Sequence, residues 1–105
     1  MEQSLVQYKT FYEVANAENI SKAARILMVS QPAVSKSLKK LEQDLGIKLF
    51  DRSSISFELT PQGKLLYDHL NEAFNHIKEA ENKLKVFSNI NFGHLRIGVS
   101  QTLAK

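Results

Sequence analysis

The stretch SQPAVSKSLKKLEQDLG, residues 30–46, decides the fold of this chain. Wound as an α-helix at about 100° per residue, it carries one apolar stripe, the pattern of a helix with one buried side. The stripe consists of Val34, Leu38, Leu41 and Leu45. Ser30 is a suitable N-cap, and Pro32 lies in the first turn, where its missing N–H costs little. Gly46 is a suitable C-terminal stop, so the sequence predicts a helix over residues 31–45.

The opposite side of this helix is polar at its start and cationic further on. Its members are Gln31, Pro32, Ser35, Lys36, Lys39 and Gln43, which we call the outer face. Residues 22–40 hold five cations and no carboxylate, whereas residues 1–21 hold one cation against three acids. This localised charge is typical of an electrostatic footprint on phosphate, although an amphipathic helix with lysines outside is most often simply solvated.

The composition allows one domain with a modest core. The chain has 105 residues, 43% of them hydrophobic, a net charge of +3 and no cysteine. A disulfide framework and a thiolate metal site are therefore excluded. The start of the chain lacks a cationic leader before an apolar run, and no segment approaches the ~20 apolar residues that span a bilayer. We expect a cytoplasmic protein without a membrane segment.

Two helices are predicted before residue 30. Apolar residues recur at helical intervals from about residue 4 to 17, and the aromatic ones among them are expected in the core. They are Leu5, Tyr8, Phe11, Tyr12 and Ala15. Ser21 opens a shorter second helix, in which Ala23 and Ala24 allow close approach of another helix. Since it is joined to the next helix by a turn of roughly 3–4 residues, the pair predicts a helix-turn-helix.

The segment IKLFDRSSISFELT, residues 47–60, fits two short strands with a polar loop between them, and we call it the wing. A hairpin directly after a recognition helix can place Arg52 beside the DNA backbone. When this segment is considered without the rest of the chain, an ordinary solvent-facing hairpin explains it equally well.

Thr60 and Pro61 predict the start of a long helix that ends near Phe87. Its apolar residues alternate steps of four and three, the rhythm of a helix that packs along its length against another. This linker seam consists of Leu66, Leu70, Ala73, Ile77, Ala80 and Leu84. A helix of ~27 residues is about 40 Å long, so the seam outruns any partner within the chain and favours a dimer over packing on the first helix.

Asn89, Asn91 and Gly93 predict the end of this helix. The following HLRIGVS, residues 94–100, alternates like a strand, and a lone strand cannot satisfy its backbone groups, so it predicts the first strand of a missing domain. We divide the chain into a winged helix-turn-helix at 1–59, a linker dimerisation helix at 60–88, and a hinge with the first strand of a truncated effector-binding domain at 89–105.

The ordered motifs resemble the N-terminal DNA-binding domain and linker helix of the LysR-type transcriptional regulators. They are AENISKAARILMVSQPAVSKSLKKLEQDLGIKLFDRSS, then LTPQGKLLYDH, and HLRIGVS where the family's effector domain begins. The resemblance implies a mainly α fold, in which three helices and a two-stranded wing are followed by a long dimerisation helix. It also implies a homodimer on an interrupted palindrome in double-stranded DNA, tetramers of the full-length protein, and a small-molecule co-inducer bound by the missing C-terminal domain.

The resemblance also assigns DNA contacts by motif. Gln31, Pro32 and Ser35 fall where family members meet the major groove, and Arg52 matches the wing arginine. In the wing, Glu58 stands where relatives often carry a cation, so fewer phosphate contacts are expected there. The complete predicted set is Ser21, Lys22, Ser30, Gln31, Pro32, Ala33, Ser35, Lys36, Lys39 and Arg52.

Two other classes of function compete with this interpretation. His69 and His76 lie seven residues apart, which suggests a metal or acid/base pair, but two solvated histidines explain them more simply and zinc takes three or four ligands. No nucleophile motif or glycine-rich phosphate loop is present, so neither an enzyme nor a cofactor is expected. The second competitor is a winged-helix interaction module that dimerises without binding DNA.

Overall fold

The computed structural model describes residues 4–53 and 58–95. The chain is mainly helical, as predicted, with three helices, a two-stranded antiparallel wing and a long C-terminal helix. The elements are α1 (Leu5–Ala17), α2 (Ile20–Leu27), α3 (Gln31–Leu45), β1 (Phe50–Asp51), β2 (Glu58–Leu59) and α4 (Pro61–Leu95). They form two compact units, Met1–Asn71 and Glu72–Lys105, so the first unit extends beyond the predicted boundary at residue 59 and includes the first turns of α4.

Both ends of α1 have side-chain or backbone caps. The Ser4 hydroxyl oxygen accepts a hydrogen bond from the Gln7 amide at 3.2 Å, and the Gln7 side chain accepts one from the Ser4 amide at 3.2 Å. This capping box satisfies two amides that the first turn would otherwise leave unpaired. Leu5 is 64% exposed in that first turn, whereas Phe11, one of the aromatic residues expected in the core, is fully buried.

The helix α2 begins at Ile20, one residue before the predicted start at Ser21, and Asn19 is its cap. The Asn19 side-chain oxygen accepts the Lys22 amide at 3.0 Å. Ala23 and Ala24 are buried as expected, and the short turn that follows leads directly into α3.

Met28 ends α2 in the left-handed conformation, with φ at 61°. The Val29 amide donates to the Ala24 carbonyl at 3.0 Å, which satisfies an end carbonyl of the helix. Glycine is the usual residue at this position because a Cβ disfavours positive φ by roughly 1–2 kcal/mol. Met28 is 87% exposed, so little side-chain packing offsets that cost.

We expect Met28→Gly to raise the free energy of unfolding by about 0.5–1 kcal/mol, the relief of φ strain less the added entropy of an unfolded glycine. Urea denaturation measures the change. Gly46→Ala is the matched control, since Gly46 has φ of 70° and open space around its missing Cβ. The free energy of unfolding of Gly46→Ala should fall by a similar amount. A fall in that of Met28→Gly would contradict the strain argument.

The core lies where the first three helices meet the residues that lead into and begin β1. Its members are Phe11, Val14, Ala23, Ala24, Val34, Leu38, Leu41, Leu49 and Phe50. The rings of Phe11 and Phe50 contact each other at 5.3 Å between centroids. The predicted stripe of α3 is confirmed for its first three residues, and Leu45 packs partly buried at its end.

The wing strands pair Phe50 with Leu59 and Asp51 with Glu58. Because side chains alternate across a strand, the apolar pair and the acidic pair lie on opposite faces. Phe50 is 3% exposed and Leu59 packs against the core, while Asp51 and Glu58 are exposed.

The wing leads into α4 through a close backbone contact. The Thr60 hydroxyl donates to the Lys48 carbonyl at 2.7 Å and accepts the Gly63 amide at 3.0 Å. A Cβ on Gly63 would lie 2.1 Å from the Leu49 carbonyl oxygen, so this approach requires glycine. The predicted cap and start of α4 are confirmed, with Pro61 as its first helical residue.

Within the first unit, α4 runs antiparallel to α1 and is held by a reciprocal pair of tyrosines and asparagines. The Tyr12 hydroxyl donates to the Asn71 side-chain oxygen at 2.6 Å, and the Tyr67 hydroxyl donates to that of Asn16. The two rings stack at 5.3 Å with an angle of 16°. Partial burial is the main cause that raises the pKa of Tyr67, and the neighbouring Tyr12 adds to it.

This contact divides the linker seam. Leu66 and Leu70 pack partly buried against the core, as the alternative of packing within the chain predicts. The other four seam residues, Ala73, Ile77, Ala80 and Leu84, are exposed. The part of the seam that stays exposed is therefore shorter than the sequence predicted.

The predicted end of α4 near Phe87 is wrong, because the helix continues to Leu95. Asn and Gly each cost up to about 1 kcal/mol in a helix, but neither removes the backbone donor as proline does, and an established helix propagates cheaply. The hinge predicted at residue 89 is thus helical to Leu95. The predicted strand, residues 94–100, is wrong for His94 and Leu95, which end this helix, and its other residues lie outside the described part of the chain.

Candidate nucleic-acid interface

The orientation of α3 follows from its cap and its buried stripe. The Ser30 hydroxyl oxygen accepts the Ala33 amide at 3.2 Å and starts the helix, and burial of Val34 fixes the side that faces inward. The opposite side is therefore presented to solvent. Gln31 and Pro32 are exposed in the first turn of α3. In helix-turn-helix proteins, the N-terminal residues of the second helix contact base edges.

The lysines of α3 differ in their partners. Lys40 forms an ion pair with Asp44 one turn later, at 3.2 Å. Among residues 4–53 and 58–95, no carboxylate pairs with Lys36 or Lys39, and both are exposed. These two side chains line one open depression of about 500 Å³ together with Pro32, Ser35, Lys40 and Gln43. The outer face is thus continuous, and no carboxylate in the described part of the chain neutralises its positive charge.

Two further predicted residues lie in the first turn of α2, which packs against α3. Lys22 is exposed and Ser21 is half-buried. Backbone amides at a helix start and a lysine beside them suit a phosphate group.

Arg52 has an internal partner that the sequence analysis missed. Its guanidinium Nη1 donates to Glu42 Oε1 at 3.3 Å. The other oxygen of Glu42, whose residue is 5% exposed, accepts the amides of Leu49 at 2.7 Å and Phe50 at 3.2 Å. Glu42 therefore joins α3 to the wing, and Arg52 balances its buried charge.

A signal for Glu42 was present in the sequence. It lies four residues after Leu38, on the side of α3 that carries the apolar stripe. Acidic residues are almost never fully buried unless they are paired, so a glutamate at such a position indicates a nearby cation or a set of backbone donors.

The described part of the chain contains no group of three or more His, Cys, Asp or Glu arranged to hold a metal ion. His76 approaches Glu79 at 3.9 Å, and both are largely exposed. Over the same residues, no helix combines the length and apolarity needed to cross a membrane.

Comparison with known proteins identifies the family. The family model of bacterial regulatory helix-turn-helix proteins, lysR family, matches residues 5–64. The HTH-type transcriptional regulator YtlI of Bacillus subtilis (strain 168) is 38% identical over 96 residues, which cover 91% of this chain and 31% of YtlI. The chain spans about a third of the length of the curated relatives it matches.

Two solved structures resemble the fold closely. The crystal structure of the BenM_DBD/catB site 1 DNA complex has a TM-score of 0.73 at 27% identity, over 81% of this chain and 96% of that one. Vibrio fischeri DarR in complex with DNA has a TM-score of 0.70 at 32% identity, over 86% of this chain and 31% of that one. The helix-turn-helix, the wing and the matches together show that the chain belongs to the LysR family of bacterial regulatory proteins.

Proposed function

We propose that this chain is the part of a bacterial transcriptional regulator that binds double-stranded DNA, with α3 in the major groove. The observation that carries the proposal is the outer face of α3, where Lys36 and Lys39 are exposed and pair with no carboxylate of the described residues. Its similarity to the BenM and DarR proteins, whose structures contain DNA, supports the same function. The chain acts by binding rather than by catalysis, in the cytoplasm.

The proposed contacts divide into positioning and readout. Lys22, Lys36 and Lys39 neutralise phosphates and release counterions, which gives an affinity that falls with salt and depends little on sequence. Gln31 reads a base, because its amide can offer a donor and an acceptor together to adenine. Arg52 is proposed to contact both Glu42 and the phosphate backbone of the DNA. The remaining proposed contacts are those of Ser21, Ser30, Pro32, Ala33 and Ser35.

We expect Gln31→Ala to relax base preference by about 1–3 kcal/mol of discrimination at one position. Lys36→Ala should weaken selected and random duplexes alike and reduce the salt slope by about 0.9. Fluorescence anisotropy on a selected site and a random duplex, over about 50–200 mM salt, measures both effects.

Lys40→Ala is the matched control for Lys36→Ala, since Lys40 lies on the same helix but pairs with Asp44. It should change the salt slope less. Unchanged selectivity in Gln31→Ala would remove Gln31 from the readout. If the wild-type chain fails to shift a random duplex at low salt, DNA binding itself is wrong and the interaction module without DNA remains.

We further propose that two copies pair through the exposed part of the linker seam. Ile77 is 47% and Leu84 65% exposed, an apolar pair one heptad apart that a second helix would cover. A two-fold dimer presents two α3 helices to two half-sites, which fits an interrupted palindrome. Tetramer formation and co-inducer binding belong to the full-length protein, beyond this chain.

A further inference from the structure

The wing carries acidic side chains on its solvent face. Asp51 and Glu58 are direct partners across the two strands, and both are exposed. Like charges placed opposite each other destabilise a strand pair, whereas an opposite pair would stabilise it. A carboxylate pair at this position is therefore unfavourable for the hairpin itself.

The cations of the wing do not compensate this charge. Lys48 is exposed, but the guanidinium of Arg52 donates to buried Glu42. The described wing residues, 47–53 and 58–60, contain two cations and two carboxylates, and the Glu42 carboxylate of α3, which Arg52 contacts, makes a third. In contrast, residues 22–40 contain five cations and no carboxylate. The excess of positive charge thus lies on α2 and α3, and the described part of the wing adds none to it.

We propose that Asp51 and Glu58 limit the affinity of this chain for DNA by repelling the phosphate backbone beside α3. The inference rests on the proposed DNA-binding function and adds a role to residues that it does not use. Sequence-independent affinity is mainly electrostatic, so two negative charges within about a Debye length of the backbone reduce it while leaving base contacts intact. They weaken the contact of the wing with DNA relative to that of α2 and α3.

Asp51 keeps its charge at neutral pH. The Ser53 hydroxyl and the Ser53 amide both donate to its Oδ1, at 2.5 and 3.0 Å. The side-chain hydrogen bond, followed by the backbone one, lowers the pKa of Asp51 below its usual value. Ser53, just after β1, thus holds the Asp51 carboxylate in place, and an asparagine at residue 51 retains an oxygen to accept from Ser53.

The test measures affinity for a random duplex at low salt. We expect Glu58→Gln to bind about three- to tenfold more tightly than the wild type, and Asp51→Asn to act in the same direction. Glu58→Lys should exceed Glu58→Gln and steepen the salt slope by up to about 0.9, since it can add one phosphate contact. Glu81→Gln is the matched control, because it makes the same change in net charge at an exposed position of α4.

Thermal melting separates this effect from damage to the wing, because relief of like-charge repulsion keeps or raises the melting temperature of Glu58→Gln. An unchanged or weaker affinity in a variant that melts like the wild type overturns the proposal. An equal gain in Glu81→Gln also overturns it, since net charge alone would then explain the result. Failure of the wild type to bind any duplex is a different outcome, which defeats the proposed function and this inference with it.

Discussion

Replacement of Glu42 by glutamine should lower the free energy of unfolding by about 3 kcal/mol and loosen the wing from α3. Glu42 is buried and accepts two backbone amides and the guanidinium of Arg52. Hydrogen bonds to a charged group contribute about 1.5–3 kcal/mol each, and breaking a buried ion pair costs about 3–5 kcal/mol. Arg52 is 34% exposed, so solvent recovers part of that loss.

Urea denaturation measures the loss of stability, and hydrogen exchange at the Leu49 and Phe50 amides reports release of the wing. Asp44→Asn is the matched control, since its carboxylate pairs with Lys40 at the surface. It should change stability by less than about 0.5 kcal/mol. A similar small change in Glu42→Gln would mean that the buried carboxylate does not hold the wing.

Arg52→Gln distinguishes the two roles of that arginine, its ion pair with Glu42 and its proposed contact with a DNA phosphate. With Glu42 intact, the Leu49 and Phe50 amides keep their acceptor, so stability should fall less than in Glu42→Gln. The double variant gives the coupling energy between the two side chains, and a phosphate contact appears separately as a reduced salt slope.

The sequence was sufficient for the parts of the fold that periodicity and caps determine. The stripe of α3 around Leu38, the cap at Ser30 and the stop at Gly46 are local features of a few turns, and the structure has all three. The start of α4 at Pro61 is equally local. The exposure of Gln31 and Lys36, on which the proposed interface depends, follows from the same stripe.

The remaining features depend on contacts between distant residues. The hydrogen bond of Tyr12 to Asn71 joins positions 59 residues apart, and nothing in either helix alone predicts it. The division of the linker seam after Leu70 follows from that packing. The sequence could not predict it, because the apolar spacing is the same before and after Leu70. The end of α4 was missed for another reason: Gly93 weakens a helix but does not stop one.

The second large effect is expected from Ile77→Asp, which should abolish tight binding to a palindromic site. Ile77 lies in the part of the seam that is exposed in the single chain. A carboxylate there would be buried without a partner in the paired helices, which is prohibitive unless the pair separates. Loss of the dimer should lower affinity for a two-half-site duplex by about 10²–10⁴-fold, because the second contact is no longer intramolecular.

Two measurements distinguish loss of the dimer from loss of the fold. Sedimentation in the high micromolar range should give a dimer for the wild type and a monomer for Ile77→Asp, while affinity for a single half-site stays the same. Asn75→Asp is the matched control, since it adds the same charge at an exposed residue of α4 outside the seam and should keep the dimer. A monomeric wild type would defeat the pairing of α4, and tight operator binding would then have to come from one copy of α3, whose outer face offers only a few cations.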